Sequence, residues 1–89
     1  MKLITLTNTN INISELSALC QPQDAILLIQ DAAFLCLRHD VSWPVKQLYV
    51  LDIDVQVRKI LVPDTFSIIN AERWVALTIA AKVNLLWPN

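Results

Sequence analysis

The stretch Ala25-Ile26-Leu27-Leu28-Ile29-Gln30-Asp31 decides the fold of this chain. Five consecutive apolar side chains without alternation predict a β-strand that is covered on both faces, as in a parallel sheet. The polar pair that follows predicts the start of a short helix, with Asp31 as its cap and Ala33, Phe34 and Leu37 along it. A strand that passes directly into a helix is the building unit of an α/β fold.

The same alternation continues on both sides of this stretch. Strands are predicted at residues 3–6, 25–29, 47–51, 66–69 and, as a short fifth strand, 85–87. Helices are predicted between them, with their caps at Asn12 (in a capping box with Glu15), Asp31, Asp52 or Asp54, and Asn70. The pattern predicts one α/β domain over residues 1–89, a small three-layer α/β/α sandwich around a parallel sheet of four to five strands.

The composition bounds the function classes. The chain has 89 residues, of which 55% are apolar, against about 45–50% in ordinary globular domains. A domain of this size buries only about 60–65% of its unfolded surface, so we expect exposed apolar patches that meet partners. The net charge of −1 comes from seven basic and eight acidic residues, and the basic residues are scattered. We therefore expect no direct contact with nucleic acid.

Missing residue types and motifs exclude further classes. The chain has no glycine, which excludes Gly-rich phosphate-binding loops. No apolar run approaches the ~18 residues that span a membrane, and the start does not resemble a secretion signal. Cys20 and Cys36 lack metal-ligand spacing, and His39 is the single histidine. We expect no cofactor, no metal, no membrane association, two reduced thiols and a cytoplasmic location.

Three groups of residues are candidates for chemistry. Cys20 is predicted in the last turn of the first helix, where the dipole opposes a thiolate; it is either a nucleophile or a partly buried thiol. Cys36 and His39 are spaced i, i+3, which leaves a Cys–His dyad open beside a packing role for Cys36. The carboxylates at the strand ends are interpreted as helix caps, with acid–base chemistry as the alternative: Asp31, Asp52 and Asp54.

The three tryptophans, Trp43, Trp74 and Trp87, are large anchors in a short chain. Tryptophan is favoured in cores and in interface hot spots alike. Trp43 stands beside Pro44 in an irregular stretch, and Trp87 stands near the terminus. Both positions suit contact with a partner as well as burial in a core, so Trp43 and Trp87 are candidate interface residues.

Ile26-Leu27-Leu28-Ile29-Gln30-Asp31-Ala32-Ala33 resembles the strand-to-helix junction of the DsrH/TusB family of sulfur-relay proteins. Other features along the chain are similar to that family. They are a short first strand, Tyr49-Val50-Leu51 before an acidic short helix, Phe66-Ser67-Ile68-Ile69 before a last helix, and Trp87 near the end. Ala32 stands where the family often has glycine, so this turn is expected to differ.

The resemblance implies assembly with two sister subunits of the same fold, DsrE/TusD-like and DsrF/TusC-like, into a heterohexamer. That family passes persulfide sulfur between cysteines, toward 2-thiolation of the wobble uridine of tRNA or toward sulfur oxidation, and the main acceptor cysteine lies in a sister subunit. Some DsrH-type members carry a cysteine where Cys20 stands. The resemblance thus implies an accessory sulfurtransferase subunit with Cys20 as candidate persulfide carrier. The alternative is a self-associating α/β module without sulfur chemistry.

Overall fold

The chain alternates strands and helices throughout the part that the structure, a computed structural model, describes: residues 1–87. The strands are β1 (Lys2–Leu6), β2 (Ala25–Leu28), β3 (Gln47–Leu51), β4 (Ser67–Ile69) and β5 (Val83–Trp87). The helices are α1 (Ile13–Leu19), α2 (Asp52–Arg58) and α3 (Ala71–Ala80), with a 3₁₀ helix, Gln30–Leu37, between β2 and β3. The predicted order of elements is confirmed, including the fifth strand.

The strands form one sheet in the order β4-β3-β2-β1-β5. All four pairings are parallel, and the register aligns Leu3 with Ala25 and Ile26 with Leu48. Every residue of β2 is buried, which explains its unbroken apolar run. The chain builds outward from β1 to β4, and then returns through α3 to place β5 on the other side of β1.

The core is divided into two clusters, one on each face of the sheet. The first core joins the inward side chains of β1, β2 and β3 to α1, the 3₁₀ helix and α2, through Leu16, Ala32, Ala33, Leu35, Cys36 and Val55. The second core joins Leu3, Leu27 and Leu51 to Leu77 and Ala81, at α3 and its C-terminal end. The predicted three-layer α/β/α sandwich is therefore confirmed, with one outer layer made largely of α3.

Two predicted helix caps are present in the structure. The Asn12 side-chain oxygen accepts hydrogen bonds from the backbone N–H groups of Ser14 and Glu15, at 3.1 and 3.2 Å. The Asn70 oxygen accepts one from the N–H of Arg73, at 2.8 Å. These bonds satisfy donors that have no partner inside the first turn of a helix, and so they set where α1 and α3 begin.

The predicted caps at Asp31 and at Asp52 or Asp54 are wrong. The capping residues are Ile29 for the 3₁₀ helix and Leu51 for α2, and neither makes a side-chain cap bond. The reason is that β2 and β3 run almost directly into the following helices, so the aspartates already lie in the first turn. The junction after β2 places Gln30 at φ 52°, in the left-handed region, which costs about 1 kcal/mol for a residue other than glycine.

Apolar side chains remain on the surface, as the composition predicts. The large apolar side chains exposed among the described residues are Phe34, Leu37, Ile53, Val57, Leu61, Ile68, Val75, Ile79, Val83 and Leu86. In residues 1–87, none of the helices has the length and apolar content to cross a bilayer. Four of the exposed apolar side chains lie on α3 and β5: Val75, Ile79, Val83 and Leu86.

Candidate functional site

Cys20 lies in the turn between α1 and β2, at the amino-terminal edge of the sheet. It is the C-terminal capping residue of α1, and its N–H donates to the carbonyl oxygen of Leu16 at 3.2 Å. Its side chain is half-buried and packs against the first core. This edge is opposite the strand carboxyl ends, where ligands of α/β sheets usually bind. The position predicted for Cys20, at the negative end of the helix, is confirmed.

A buried ion pair lies beside Cys20. Asp24 is only 1% exposed, and one of its carboxylate oxygens accepts the backbone N–H of Lys2 at 2.8 Å. Its other oxygen accepts the N–H of Gln21 at 2.8 Å and lies 2.8 Å from the Lys2 ammonium nitrogen. Asp24 therefore joins the start of β1 to the turn that carries Cys20, and its burial is compensated by both charge and hydrogen bonds.

The surroundings of Cys20 disfavour its thiolate. Burial raises the pKa of the Cys20 thiol, the negative charge of Asp24 raises it further, and the ammonium of Lys2 lowers it in part. Although burial opposes ionisation of Asp24, hydrogen bonds from Lys2 and Gln21 lower the pKa of that carboxyl to about 2. Asp24 is thus charged at neutral pH while Cys20 stays protonated, which limits the nucleophilicity of the thiol in the isolated chain.

Sequence analysis did not identify Lys2 and Asp24. The sheet brings them together because Leu3 pairs in register with Ala25, so Lys2, the first residue of β1, lies beside Asp24, which precedes β2. The one available signal was a lone aspartate between a Gln-Pro turn and a fully apolar strand. That signal does not name a partner for the carboxylate, since the register of β1 against β2 is a tertiary property.

Cys36 and His39 line one cavity of about 570 Å³. Cys36 is 3% exposed and belongs to the first core, and burial raises the pKa of its thiol. Within residues 1–87, the two side chains share no hydrogen bond, so the structure brings them to one cavity without forming a Cys–His dyad. Neither Cys36 nor Cys20 forms a disulfide.

The two candidate interface tryptophans are half-buried against the first core. The Trp43 ring meets Phe66 edge to face, with ring centroids 5.5 Å apart and planes at 85°. Trp87 ends β5 beside Leu6 and lines a surface pocket with Asn12 and other residues at the start of α1. Each tryptophan thus contributes to the core and also presents a surface, and their role at an interface stays a prediction.

One arginine holds two of the carboxylates after β2 and β3, those of Asp31 and Asp54. Nε and Nη2 of Arg58 donate to a single oxygen of Asp31, at 3.1 and 3.0 Å. Nη1 of Arg58 donates to Asp54 at 3.0 Å, and the Asp52 oxygen accepts the N–H of Ile53 at 2.7 Å. The Arg58 network ties the 3₁₀ helix to α2, so a structural role accounts for Asp31 and Asp54, while the Asp52 carboxylate bonds the next residue of α2. Among residues 1–87, no group of three or more His, Cys, Asp or Glu side chains is placed to hold a metal ion.

These features define a class: a small α/β sandwich with an all-parallel sheet, two reduced thiols near one sheet edge and an apolar outer helix. A family model described as DsrH like protein matches residues 8–84. The chain belongs to the DsrH family, whose members serve as sulfur-relay subunits and act with other subunits. The matched range includes both cysteines and Trp43, and it ends before Trp87. No curated protein matches the chain.

Proposed function

We propose that this chain is an accessory subunit of a cytoplasmic complex that passes persulfide sulfur from cysteine to cysteine. Its partners are sister subunits of the same fold, DsrE/TusD-like and DsrF/TusC-like, in a heterohexamer. The sulfur is destined for 2-thiolation of the wobble uridine of tRNA or for sulfur oxidation. Family membership supports the relay, and the surface of α3 supports the assembly.

The outer surface of α3 is the observation that carries the proposed assembly. Val75 and Ile79 stand one turn apart and are 57% and 78% exposed, with Ala76 and Ala80 exposed beside them. We call these four residues the α3 surface. In α3 Leu77 alone is buried, and four apolar side chains lie exposed after the polar first turn of Glu72 and Arg73. An exposed apolar strip of this kind favours a covering partner, here another subunit.

A groove beside α3 extends the same apolar area. Its walls are Trp74 and Thr78 of α3 and Leu86 of β5, and Thr5 and Ile29 also line it. The groove lies where α3 leaves the sheet uncovered, because one helix about 10 Å wide cannot cover five strands spaced about 4.8 Å apart. The sheet and the α3 surface together offer a continuous area of the kind that meets partners.

Cys20 is the residue proposed to carry sulfur. Its thiol attacks the terminal sulfur of a donor persulfide, the donor S–S bond breaks, the proton of Cys20 passes to the departing donor thiolate, and Cys20 becomes the persulfide. The step exchanges one thiol and one persulfide for another pair and needs no external oxidant. Since Asp24 and burial keep the isolated thiol protonated, we expect transfer in the assembled complex rather than in the free chain.

Co-expression with candidate sister subunits tests the proposal. We expect one stable complex, and after incubation with a persulfide donor a mass increase of about 32 Da, one sulfur atom, on Cys20. The matched controls are Cys20→Ser, which should assemble without gaining the sulfur, and Cys36→Ala, which should gain it on Cys20. A chain that stays alone at micromolar concentration beside the sister subunits would contradict the assembly.

The alternative function is a self-associating α/β module without sulfur chemistry, which the α3 surface would also serve. Light scattering of the isolated chain separates the two. Two results together would favour the self-associating module. The chain would form a stable homo-oligomer that does not bind the sister subunits, and Cys20 would stay unmodified under conditions in which a sister subunit gains persulfide sulfur.

A further inference from the structure

The cavity that contains Cys36 opens at the amino-terminal ends of β3 and β4. One wall is the segment 38–46, which joins the 3₁₀ helix to β3, and the other is the segment 63–66, which precedes β4. Its volume of about 570 Å³ falls within the range of small-molecule sites in proteins. We call it the basic cavity, after the charge of its rim.

The floor of the basic cavity is apolar and rigid. Cys36, Leu48 and Phe66 line it, and all three are buried members of the first core. Trp43 lines it too, with its ring held edge to face against Phe66. Two fixed aromatic rings and a thiol offer a flat ligand apolar contact without the loss of much side-chain entropy.

The rim of the basic cavity carries Arg38, His39 and Lys46, all exposed, and none of the described residues that line the cavity is a carboxylate. Asp40, outside that lining, accepts hydrogen bonds from Nε and Nη2 of Arg38 at 3.0 and 2.6 Å. This pairing orients the guanidinium, while its Nη1 donates to no residue in the described part of the chain. Lys46 takes part in none of the ion pairs found within residues 1–87.

We propose that the basic cavity binds a small organic anion with a flat, apolar body. The body lies against Trp43 and Phe66, and the anionic group, a carboxylate, sulfonate or phosphate, lies at the rim beside Lys46 and Nη1 of Arg38. Lys46 supplies most of the positive charge that selects the anion, because Asp40 already offsets the charge of Arg38, and the aromatic floor selects a ligand with a ring. This binding goes beyond the relay proposed above and does not depend on it.

The location links the basic cavity to the edge that carries Cys20. A neighbouring pocket shares Trp43, Val45 and Lys46 with it and reaches Pro22 and Gln23, in the turn that follows Cys20. A ligand in the basic cavity therefore lies on the same edge of the sheet as the candidate sulfur carrier. This arrangement would let its occupancy influence that turn.

A titration with 2-naphthalenesulfonate tests the charge requirement, with the uncharged methyl sulfone of the same ring as matched ligand. Binding to the full chain is followed by NMR of backbone amides, and we expect shifts around residues 36–48 and 63–66. Lys46→Ala should weaken the sulfonate about fivefold, the upper end for an exposed ion pair, and leave the sulfone unchanged. Lys82→Ala removes an exposed lysine elsewhere and should change neither affinity.

A second measurement uses Cys36 as a reporter in Cys20→Ser, where Cys36 is the single thiol. Saturating sulfonate should slow alkylation of Cys36, because the ligand covers the cavity floor. Equal affinity for the sulfonate and the sulfone would overturn the proposal, as would a rate of Cys36 alkylation that the ligand does not change. Closure of the cavity by a partner subunit in the assembled complex would also overturn it, because the cavity would then be part of that interface. The titration needs no sulfur transfer, so it can fail or succeed separately from the proposed function.

Discussion

At the amino-terminal edge of the sheet, Asp24 accepts hydrogen bonds from two backbone N–H groups and pairs with the ammonium of Lys2, while it is only 1% exposed. A buried charge of this kind stabilises the fold as long as its partners are present, and it is costly once they are lost. The same charge acts on Cys20 in the adjoining turn. Stability and thiol reactivity are therefore coupled through one residue.

The pH dependence of stability is the first prediction. Since the pKa of Asp24 is lowered from 3.8 to about 2, its contribution is fully present above pH ~4 and is lost as the pH falls toward 2. The shift corresponds to about 2 kcal/mol of unfolding free energy. Urea unfolding measures the difference in unfolding free energy between pH 5 and pH 2, and this difference should be about 2 kcal/mol smaller in Asp24→Asn than in the unchanged chain.

The control is Asp40→Asn, which removes a carboxylate from an exposed ion pair and should retain most of the pH difference. Equal behaviour of the two variants would contradict the role of Asp24.

Alkylation by iodoacetamide, followed by mass spectrometry at pH 7.5, gives a second prediction. Cys20 should react more slowly than a free cysteine, because burial and Asp24 raise its pKa. Asp24→Asn should accelerate the reaction several-fold by removing a negative charge, and Lys2→Ala should slow it by removing a positive one. Changes in the same direction for both variants would indicate opening of the turn rather than electrostatics.

At the scale of elements, α3 is the helix with most consequence. The helix supplies Leu77 to the second core, and Trp74 packs against the same core. On that face of the sheet, α3 is the helical layer among the described residues. The face of the sheet at the first core is covered by three helical segments, α1, the 3₁₀ helix and α2. Loss of any one of these segments would expose less of the sheet than loss of α3. The start of α3 therefore controls both a core and the proposed assembly surface.

Removal of the α3 cap tests this dependence. Asn70→Ala takes away the acceptor of the Arg73 N–H and should lower the unfolding free energy by about 1 kcal/mol. Asn8→Ala, which removes an acceptor in an exposed turn, is the matched control and should cost less. Chemical denaturation measures both. If Asn8→Ala proved as damaging as Asn70→Ala, α3 would not depend on its cap.

For the whole molecule, the relation of surface to volume dominates. A chain of 89 residues with 55% apolar residues has too little interior, and the surplus lies outside the two cores. Burying one Val or Ile side chain contributes about 1.5–3 kcal/mol before the costs of association are subtracted. The α3 surface is one area where a partner gains in this way, as are the exposed Ile53 and Val57 of α2.

A charged substitution on the α3 surface should separate assembly from folding. Ile79→Glu places a carboxylate where the side chain is 78% exposed, so the chain should fold normally but lose its sister subunits in co-purification. Leu61→Glu, at a position 89% exposed in the loop after α2, is the control that should still assemble. If Ile79→Glu still co-purified with the sister subunits, the α3 surface would not be the interface.

Local pattern was sufficient for much of the fold. The apolar run of β2, the caps Asn12 and Asn70 and the alternation of strand and helix were all readable, because each depends on residues within one turn or strand. The predicted caps at Asp31, Asp52 and Asp54 are wrong because β2 and β3 run almost directly into the following helices, which places these aspartates in the first turn. Arg58 is 27 residues from Asp31, so the ion pair between them forms only once α2 packs beside the 3₁₀ helix, whereas its pair with Asp54 lies within α2.

The sequence by itself determined that this chain is an α/β domain with excess apolar surface, since composition and periodicity are properties of the chain alone, and its resemblance to the DsrH/TusB family identified Cys20 as a candidate sulfur carrier. The tertiary structure decided which groups surround that thiol. Parallel register places Lys2 beside Asp24, 22 residues away, and the return through α3 leaves one helix apolar on its outside. Charges and surfaces that meet through the sheet depend on strand order and register, which no short stretch of sequence encodes.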